Sequence, residues 1–146
     1  MFLSGEELED YVKGIIHEET QIADRGLDLT VSKICRPTSA AELDFGGSEE
    51  KTPDLRNIKP ERRSPEDDYG WWNLEAGIYI IGFNEDITVD EGLAAIVPLR
   101  RLTSGGSFHP PVIFSGELSD NVILSVNSSG LKIKENARLS RLIVWR

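Results

Sequence analysis

The residues best suited to chemistry are two adjacent arginines and a scatter of carboxylates. Arg100 and Arg101 follow Pro98-Leu99. A guanidinium is a planar fork that matches two phosphate oxygens, so two in succession suit a phosphorylated ligand. Adjacent residues on a strand point to opposite faces, however, and both reach one ligand only where the strand bulges or ends. Otherwise one of them points to solvent or to a carboxylate of the charged segment 42–70. Asp28, in Gly26-Leu27-Asp28-Leu29, sits at the start of an alternating run, where an Asp also serves as a local backbone acceptor. His17 and His109 are far apart and neither has a partner at metal-ligand spacing, which argues against a histidine metal site. The single cysteine, Cys35, excludes an internal disulfide and a multi-cysteine zinc site, and reads as a small buried strand residue.

Composition narrows the partners. The chain has 146 residues, the size of one domain. Twenty-five acidic against sixteen basic residues give a formal charge of -9. That balance disfavours a sequence-independent grip on a long nucleic acid, and leaves a small phosphorylated ligand held by a few local arginines. No apolar run approaches the ~18 residues of a membrane span. Met1-Phe2-Leu3-Ser4-Gly5-Glu6-Glu7 has neither a basic start nor a long apolar stretch, so the expected location is the cytoplasm and not a membrane.

The elements that must position these residues are mostly strands. Ser4 and Glu7 form a capping box, with Leu3 and Leu8 placed as a hydrophobic staple. Leu8, Tyr11, Val12 and Ile15 recur at helical spacing and Gly14 follows, which predicts one short N-terminal amphipathic helix. From Gly26 the period becomes two. Leu27, Leu29 and Val31 alternate with Asp28, Thr30 and Ser32, as in a half-buried strand. Further strands are expected at Ile78 to Phe83, Ile87 to Val89, Leu93 to Leu99, Val112 to Phe114, Val122 to Asn127, Leu131 to Lys134 and Leu139 to Trp145. Turns are expected at Asn84-Glu85-Asp86, Ser104 to Ser107 and Asn127 to Gly130. Many short strands with one leading helix predict a mostly-β barrel or sandwich. Residues 42–70, rich in charge and carrying Pro53, Pro60 and Pro65, read as a mobile surface insertion or a loop ordered by a neighbouring subunit or ligand. Trp71-Trp72 should anchor its C-terminal end by burying aromatic surface.

Several segments carry a resemblance. Leu3-Ser4-Gly5-Glu6-Glu7-Leu8, Gln21 to Leu29, Trp72 to Tyr79 with Glu85 to Val89, and Asn136 to Ile143 follow one another in an order and spacing similar to the trimeric dUTP diphosphatases and dCTP deaminases. The resemblance covers most of the chain apart from the charged insertion. It implies a single domain over residues 1–146 with a distorted β-barrel or jelly-roll of the dUTPase type. It also implies a homotrimer with nucleotide sites at subunit interfaces, and Mg²⁺ bridging the phosphates of a deoxyribonucleoside triphosphate. Asp28 matches the acid that, in this family, helps organise metal-bound waters. The implied substrate contacts are Arg100, Arg101, Ser104, Phe114, Arg138 and Arg141, and no residue is assigned as a direct metal ligand.

The sequence departs from the family where its chemistry is carried. The usual Arg-Ser-Ser-Leu is replaced by Leu99-Arg100-Arg101-Leu102, and Pro111 stands where the water-activating Asp belongs. The strand Val122 to Asn127 lacks the deaminase Glu. A carboxylate must accept the proton of the attacking water. Glu117 and Asp120 are the nearest candidates for a relocated base, and both are equally readable as solvated turn residues. The glycine-rich closing arm has no counterpart after Trp145-Arg146. Two readings follow: hydrolysis of dUTP to dUMP and pyrophosphate, at a rate absent or far below that of a typical member, or a catalytically impaired module for nucleotide sensing or protein interaction. Deamination of dCTP is a third. The apolar C-terminal strand is expected to be buried in the trimer interface, because an exposed edge tolerates few apolar residues.

Overall fold

Alternating apolar and polar residues form paired strands along most of the chain in a computed structural model, which describes residues 1–100, 102, 105–109, 112–113, 116–118 and 122–146, with 107–109 and 112–113 by backbone alone. In chain order the strands are β1 (Val12–Lys13), β2 (Ile22–Ala23), β3 (Gly26–Pro37), β4 (Leu55–Asn57), β5 (Trp71–Leu74), β6 (Gly77–Phe83) and β7 (Asp86–Val89). There follow β8 (Leu93–Pro98), β9 (Gly106–His109), β10 (Val112–Ile113), β11 (Gly116–Glu117), β12 (Val122–Val126), β13 (Leu131–Lys134) and β14 (Arg138–Trp145). One α-helix, α1, spans Glu18–Gln21.

The large sheet runs β10-β8-β14-β3-β6-β12-β9, with β2 and β4 also pairing β3. Two smaller sheets, β1-β7-β11 and β13-β5, complete a mostly-β fold of the distorted barrel type. The long strand β3 joins the halves: its first residues pair β14 and its later ones pair β6. Leu27, Leu29, Val31, Ile34, Ile81, Ile96, Leu124 and Leu142 are fully buried between these strands. Each such side chain stabilises the fold by about 1.5–3 kcal/mol relative to exposure.

The N-terminal helix is shorter than its periodicity suggests. The capping box forms, with the Ser4 N–H donating to the Glu7 carboxylate at 2.7 Å and the Glu7 N–H to Ser4 Oγ at 3.2 Å. Yet the chain makes only a 3-10 turn over Glu7–Tyr11, and Val12 and Lys13 leave it to pair Ile87 and Asp86. The strand partner outcompetes a helix too short to hold itself. Gly14 ends this stretch at φ +84, where an added Cβ would meet the Asn84 carbonyl at 2.7 Å. The turn expected over 104–107 also gives way at Gly106 and Ser107, which enter β9 and pair Val126 and Ser125.

Strand β14 is not an edge. It lies between β3 and β8, and Leu139, Leu142 and Val144 are buried within the chain itself. Its apolar character therefore needs no second subunit. Segment 42–70 contributes β4, which pairs Cys35, Arg36 and Pro37 of β3. Trp72 is buried, and its indole N–H donates to the Ile58 carbonyl at 2.7 Å. Arg63 stacks on the Trp71 ring at 3.6 Å. Cys35 is a free, buried strand residue.

Candidate active site

The first half of β3 departs from half-burial. Leu27, Leu29 and Val31 face the apolar core, but Asp28 and Thr30 on the opposite face are buried too. Two elements reach that face: the Gln21 side chain at the end of α1, and the Asn84-Glu85 turn between β6 and β7. Buried polar groups must find partners, and these find them far away in sequence.

Asp28 holds two arginines. Arg138 Nη1 donates to one carboxylate oxygen at 3.1 Å, and Arg141 Nε donates to the other at 2.8 Å. Residues three apart on a regular strand face opposite ways. Here a register shift between Arg138 and Ser140 turns both guanidiniums to Asp28. Gly26 makes room for the second, since an added Cβ would meet Arg141 Cγ at 2.8 Å and the Leu142 carbonyl at 2.6 Å. Arg138 Nη1 also donates to the Thr20 carbonyl at 3.2 Å, which ties α1 to the cluster. The carboxylate is sealed, but the arginine side chains stay 32% and 36% exposed, so the cluster is open to solvent on the arginine side. A shared buried anion thus fixes two forks in an orientation suited to phosphate oxygens.

Arg100 stands close by along the chain. The Leu99 N–H donates to the Leu139 carbonyl at 2.8 Å, and Arg100 is the exposed next residue, in the turn that leaves β8 beside the Arg138 end of β14. Arg101, Ser104, Phe114, Pro111 and Asp120 lie outside the described residues.

Beside this cluster, Glu85 is buried with neutral partners. It accepts from Gln21 Nε2 at 2.6 Å, from Thr30 Oγ1 at 2.6 Å, and from the Thr30 N–H at 3.2 and 3.0 Å. Asn84 Nδ2 donates to Thr30 Oγ1 at 3.0 Å and to Asn136 Oδ1 at 2.8 Å. Asn136 takes a left-handed conformation at φ 64 to receive it. Burial raises the Glu85 pKa above the ordinary carboxylate value, and the bonds from Thr30 and Gln21 oppose that rise only in part. Gln21 Nε2 also donates to the Asp28 carbonyl at 2.9 Å, so the Glu85 network and the arginine cluster share a strut. Reasoning from sequence missed Gln21, Thr30 and Glu85. No local pattern marks them, since their partners lie up to 64 residues away.

Glu117 is elsewhere. It is exposed on β11, paired with Thr88 of β7 in a smaller sheet. There it borders a cleft of about 350 Å³ together with Asp10, Tyr11, Lys13 and Asp86. Within one chain, therefore, the arginine cluster and Glu117 belong to different sheets. A depression of about 610 Å³ between Asn73–Ala76 and Ser128–Lys132 touches neither group. His17 caps α1 through its backbone, and its ring nitrogen shares a 2.8 Å hydrogen bond with Thr20 Oγ1. The described side chains do not fit a protein-held metal. Both Asp28 oxygens are engaged by guanidiniums, and among the described residues no three His, Cys, Asp or Glu side chains converge on a cation position. No helix in the described residues is long and apolar enough to cross a membrane.

No protein-family model matches the chain. A curated protein of Methanosarcina mazei named a probable deoxyuridine 5'-triphosphate nucleotidohydrolase is 31% identical over 154 aligned positions, covering 98% of this chain and 86% of that protein. A protein of the same name from Methanosarcina acetivorans is 33% identical, covering 87% of this chain and 73% of the relative. One from Aeropyrum pernix is 30% identical, covering 100% and 89%. Among solved structures, a 2'-deoxycytidine 5'-triphosphate deaminase of Agrobacterium tumefaciens superposes with a TM-score of 0.65 at 15% identity. That match takes in 99% of this chain but spans about half of the deaminase chain, 48%. It is a likeness of fold. The sequence matches run through the very strands that carry Asp28, Arg138 and Arg141, and by them the chain belongs to the deoxyuridine 5'-triphosphate nucleotidohydrolase family.

Proposed function

We propose that the protein hydrolyses dUTP to dUMP and pyrophosphate, with the nucleotide entering as its Mg²⁺ complex. The observation that carries the reading is the pair of guanidiniums locked on one buried carboxylate, with about a third of each arginine side chain open to solvent. Preorganised cations stabilise the charge that develops on transferring phosphoryl oxygens at no cost of reorganisation. Arg138, Arg141 and Arg100 are the phosphate ligands in this reading, with Arg101, Ser104 and Phe114 as further substrate contacts. Asp28 acts through the arginines it holds. The metal travels with the triphosphate, in keeping with a site whose acid is already paired.

Water attacks the α-phosphorus, its proton passes to the base, and pyrophosphate leaves. Glu117 is the base we assign, exposed and without a cationic partner among the described ion pairs. Its place on a different sheet from the arginines supports a site shared between subunits of a homotrimer, one supplying the arginines and its neighbour Glu117. A non-catalytic sensing module has no observation of its own in its favour, and the deaminase likeness reaches no further than the fold.

Pyrophosphate release from dUTP and dCTP with Mg²⁺ tests the proposal. Release from dUTP alone is expected, falling about 10²- to 10⁴-fold in Glu117→Gln, as for loss of a general base. Folded protein that releases none from dUTP overturns it. Light scattering that returns a monomer at micromolar concentration removes the shared site.

A further inference from the structure

A second basic site lies at the far end of β3. Arg36 of β3 and Arg56 of β4 are direct partners in the antiparallel register, so their side chains leave the same face of the sheet side by side. Like charges placed directly opposite destabilise a strand pair, and β4 is only three residues long. In a chain of net charge -9, a carboxylate would be an easy neighbour for either arginine. Neither arginine nor Lys59 takes part in any ion pair among the described residues. Together they line a groove of about 340 Å³ whose wall includes Asn57, Asn73 and the Tyr79 ring. Tyr79 is buried, its hydroxyl donates to the Glu75 carbonyl at 2.8 Å, and the Arg36 guanidinium lies 5.9 Å from its ring centroid. The aromatic support orders one fork without neutralising it. Glu75 borders the groove as the one acid there, which leaves three cations against one anion.

We infer that Arg36, Arg56 and Lys59 form a second anion site that takes a di- or triphosphate group. Directly opposed strand residues have Cβ atoms about 4.5–5.5 Å apart, which lets two guanidiniums engage neighbouring phosphoryl groups of one chain. Asn57 and Asn73 also border the groove and add no charge to it. The group arrives either as inorganic pyrophosphate or polyphosphate, or as the tail of a nucleotide. The site shares no residue with the Asp28 cluster and stands independently of the reading given to that cluster.

The test uses the full chain and inorganic tripolyphosphate in calorimetric titration and thermal melts at about 0.15 M salt, where exposed charges that merely condense ions are largely screened. Binding is expected. It should weaken about tenfold or more in Arg36→Gln/Arg56→Gln, as for loss of charge-assisted bonds. Arg36→Lys/Arg56→Lys should fall between, since it keeps charge but loses the fork. Without ligand, Arg56→Gln should melt at or above the wild-type temperature, because it relieves a like-charge pair. Lys51→Gln, which removes an exposed cation paired with Glu42 outside the groove, serves as the control and should leave this affinity intact. Parallel titrations with pyrophosphate and dUTP distinguish a free inorganic anion from a nucleotide tail. Unchanged tripolyphosphate affinity in the double Gln variant, binding that vanishes at 0.15 M salt, a lower ligand-free melting temperature for Arg56→Gln, or tighter binding of a single-stranded oligodeoxynucleotide than of tripolyphosphate would each overturn the inference.

Discussion

Asp28 and Glu85 are two carboxylates buried to nearly the same degree, 2% and 3% exposed, and joined through Gln21. Their environments differ in one respect. Asp28 is matched by two arginines, whereas Glu85 is matched only by neutral donors, an amide, a hydroxyl and a backbone N–H. Opposite charges offset the cost of burying a carboxylate directly, while neutral donors offset only part of the desolvation. One acid therefore serves to position charge, and the other fastens β3 to the β6–β7 turn at an electrostatic cost.

The sharpest way to break this contrast is Asp28→Asn. It strands two guanidiniums, and should destabilise the fold by about 2–3 kcal/mol, less than the 3–5 kcal/mol of a fully buried pair because the arginines are about one third exposed. Urea denaturation gives the number, and a loss under about 0.5 kcal/mol, the scale of an exposed pair, would show that the cluster is a surface feature. Binding of dUMP should also weaken in this variant, since the forks lose their common anchor.

Thr30→Val attacks the other acid. It keeps shape while removing the hydroxyl that donates to Glu85 and accepts from Asn84, so a loss of about 1–2 kcal/mol is expected from two buried groups left short of a partner. An unchanged denaturation midpoint would mean that the network is dispensable.

Titration separates the two kinds of environment further. Glu85 has its folded pKa raised above 4.5, so the stability linked to its protonation is present below that value and is lost as pH rises through the folded pKa. The stability of the wild type relative to Glu85→Gln should accordingly decline from about pH 4.5 upward. A difference that stays flat with pH contradicts the raised pKa. Glu7 supplies the opposite sign with the smallest effect. Its carboxylate is held low first by the Ser4 N–H and then by the Ser4 hydroxyl, so its contribution is present above 4.5 and lost as pH falls through the folded pKa. Denaturation of Glu7→Gln beside the wild type should show their difference shrinking on the acid side only.

Much of the framework was legible because its causes are local. Leu131 to Lys134 was expected as a strand and is β13; Leu93, Val122 and Ile78 open or nearly open the strands expected there. The Ser4 and Glu7 capping box spans four residues and forms as its spacing requires. The extent of the first helix was misjudged for the converse reason, since Val12 and Lys13 answer to Ile87 and Asp86, more than seventy residues away.

The arginines show the same division. Two guanidiniums reach one ligand from Arg100-Arg101 only where the strand bulges or ends; β8 ends at Pro98, and Arg101 lies outside the described residues. A pair that sequence spacing does not reveal comes from the register shift in β14, which aligns Arg138 with Arg141. What the amino-acid sequence determined by itself was the strand content, the local caps and turns, and membership of a family whose residues recur in order along it. Only the tertiary structure decided that Asp28 and Glu85 are buried and which partners each receives, because a carboxylate's charge state and role depend on what other strands bring to it across 55 to 113 residues of chain.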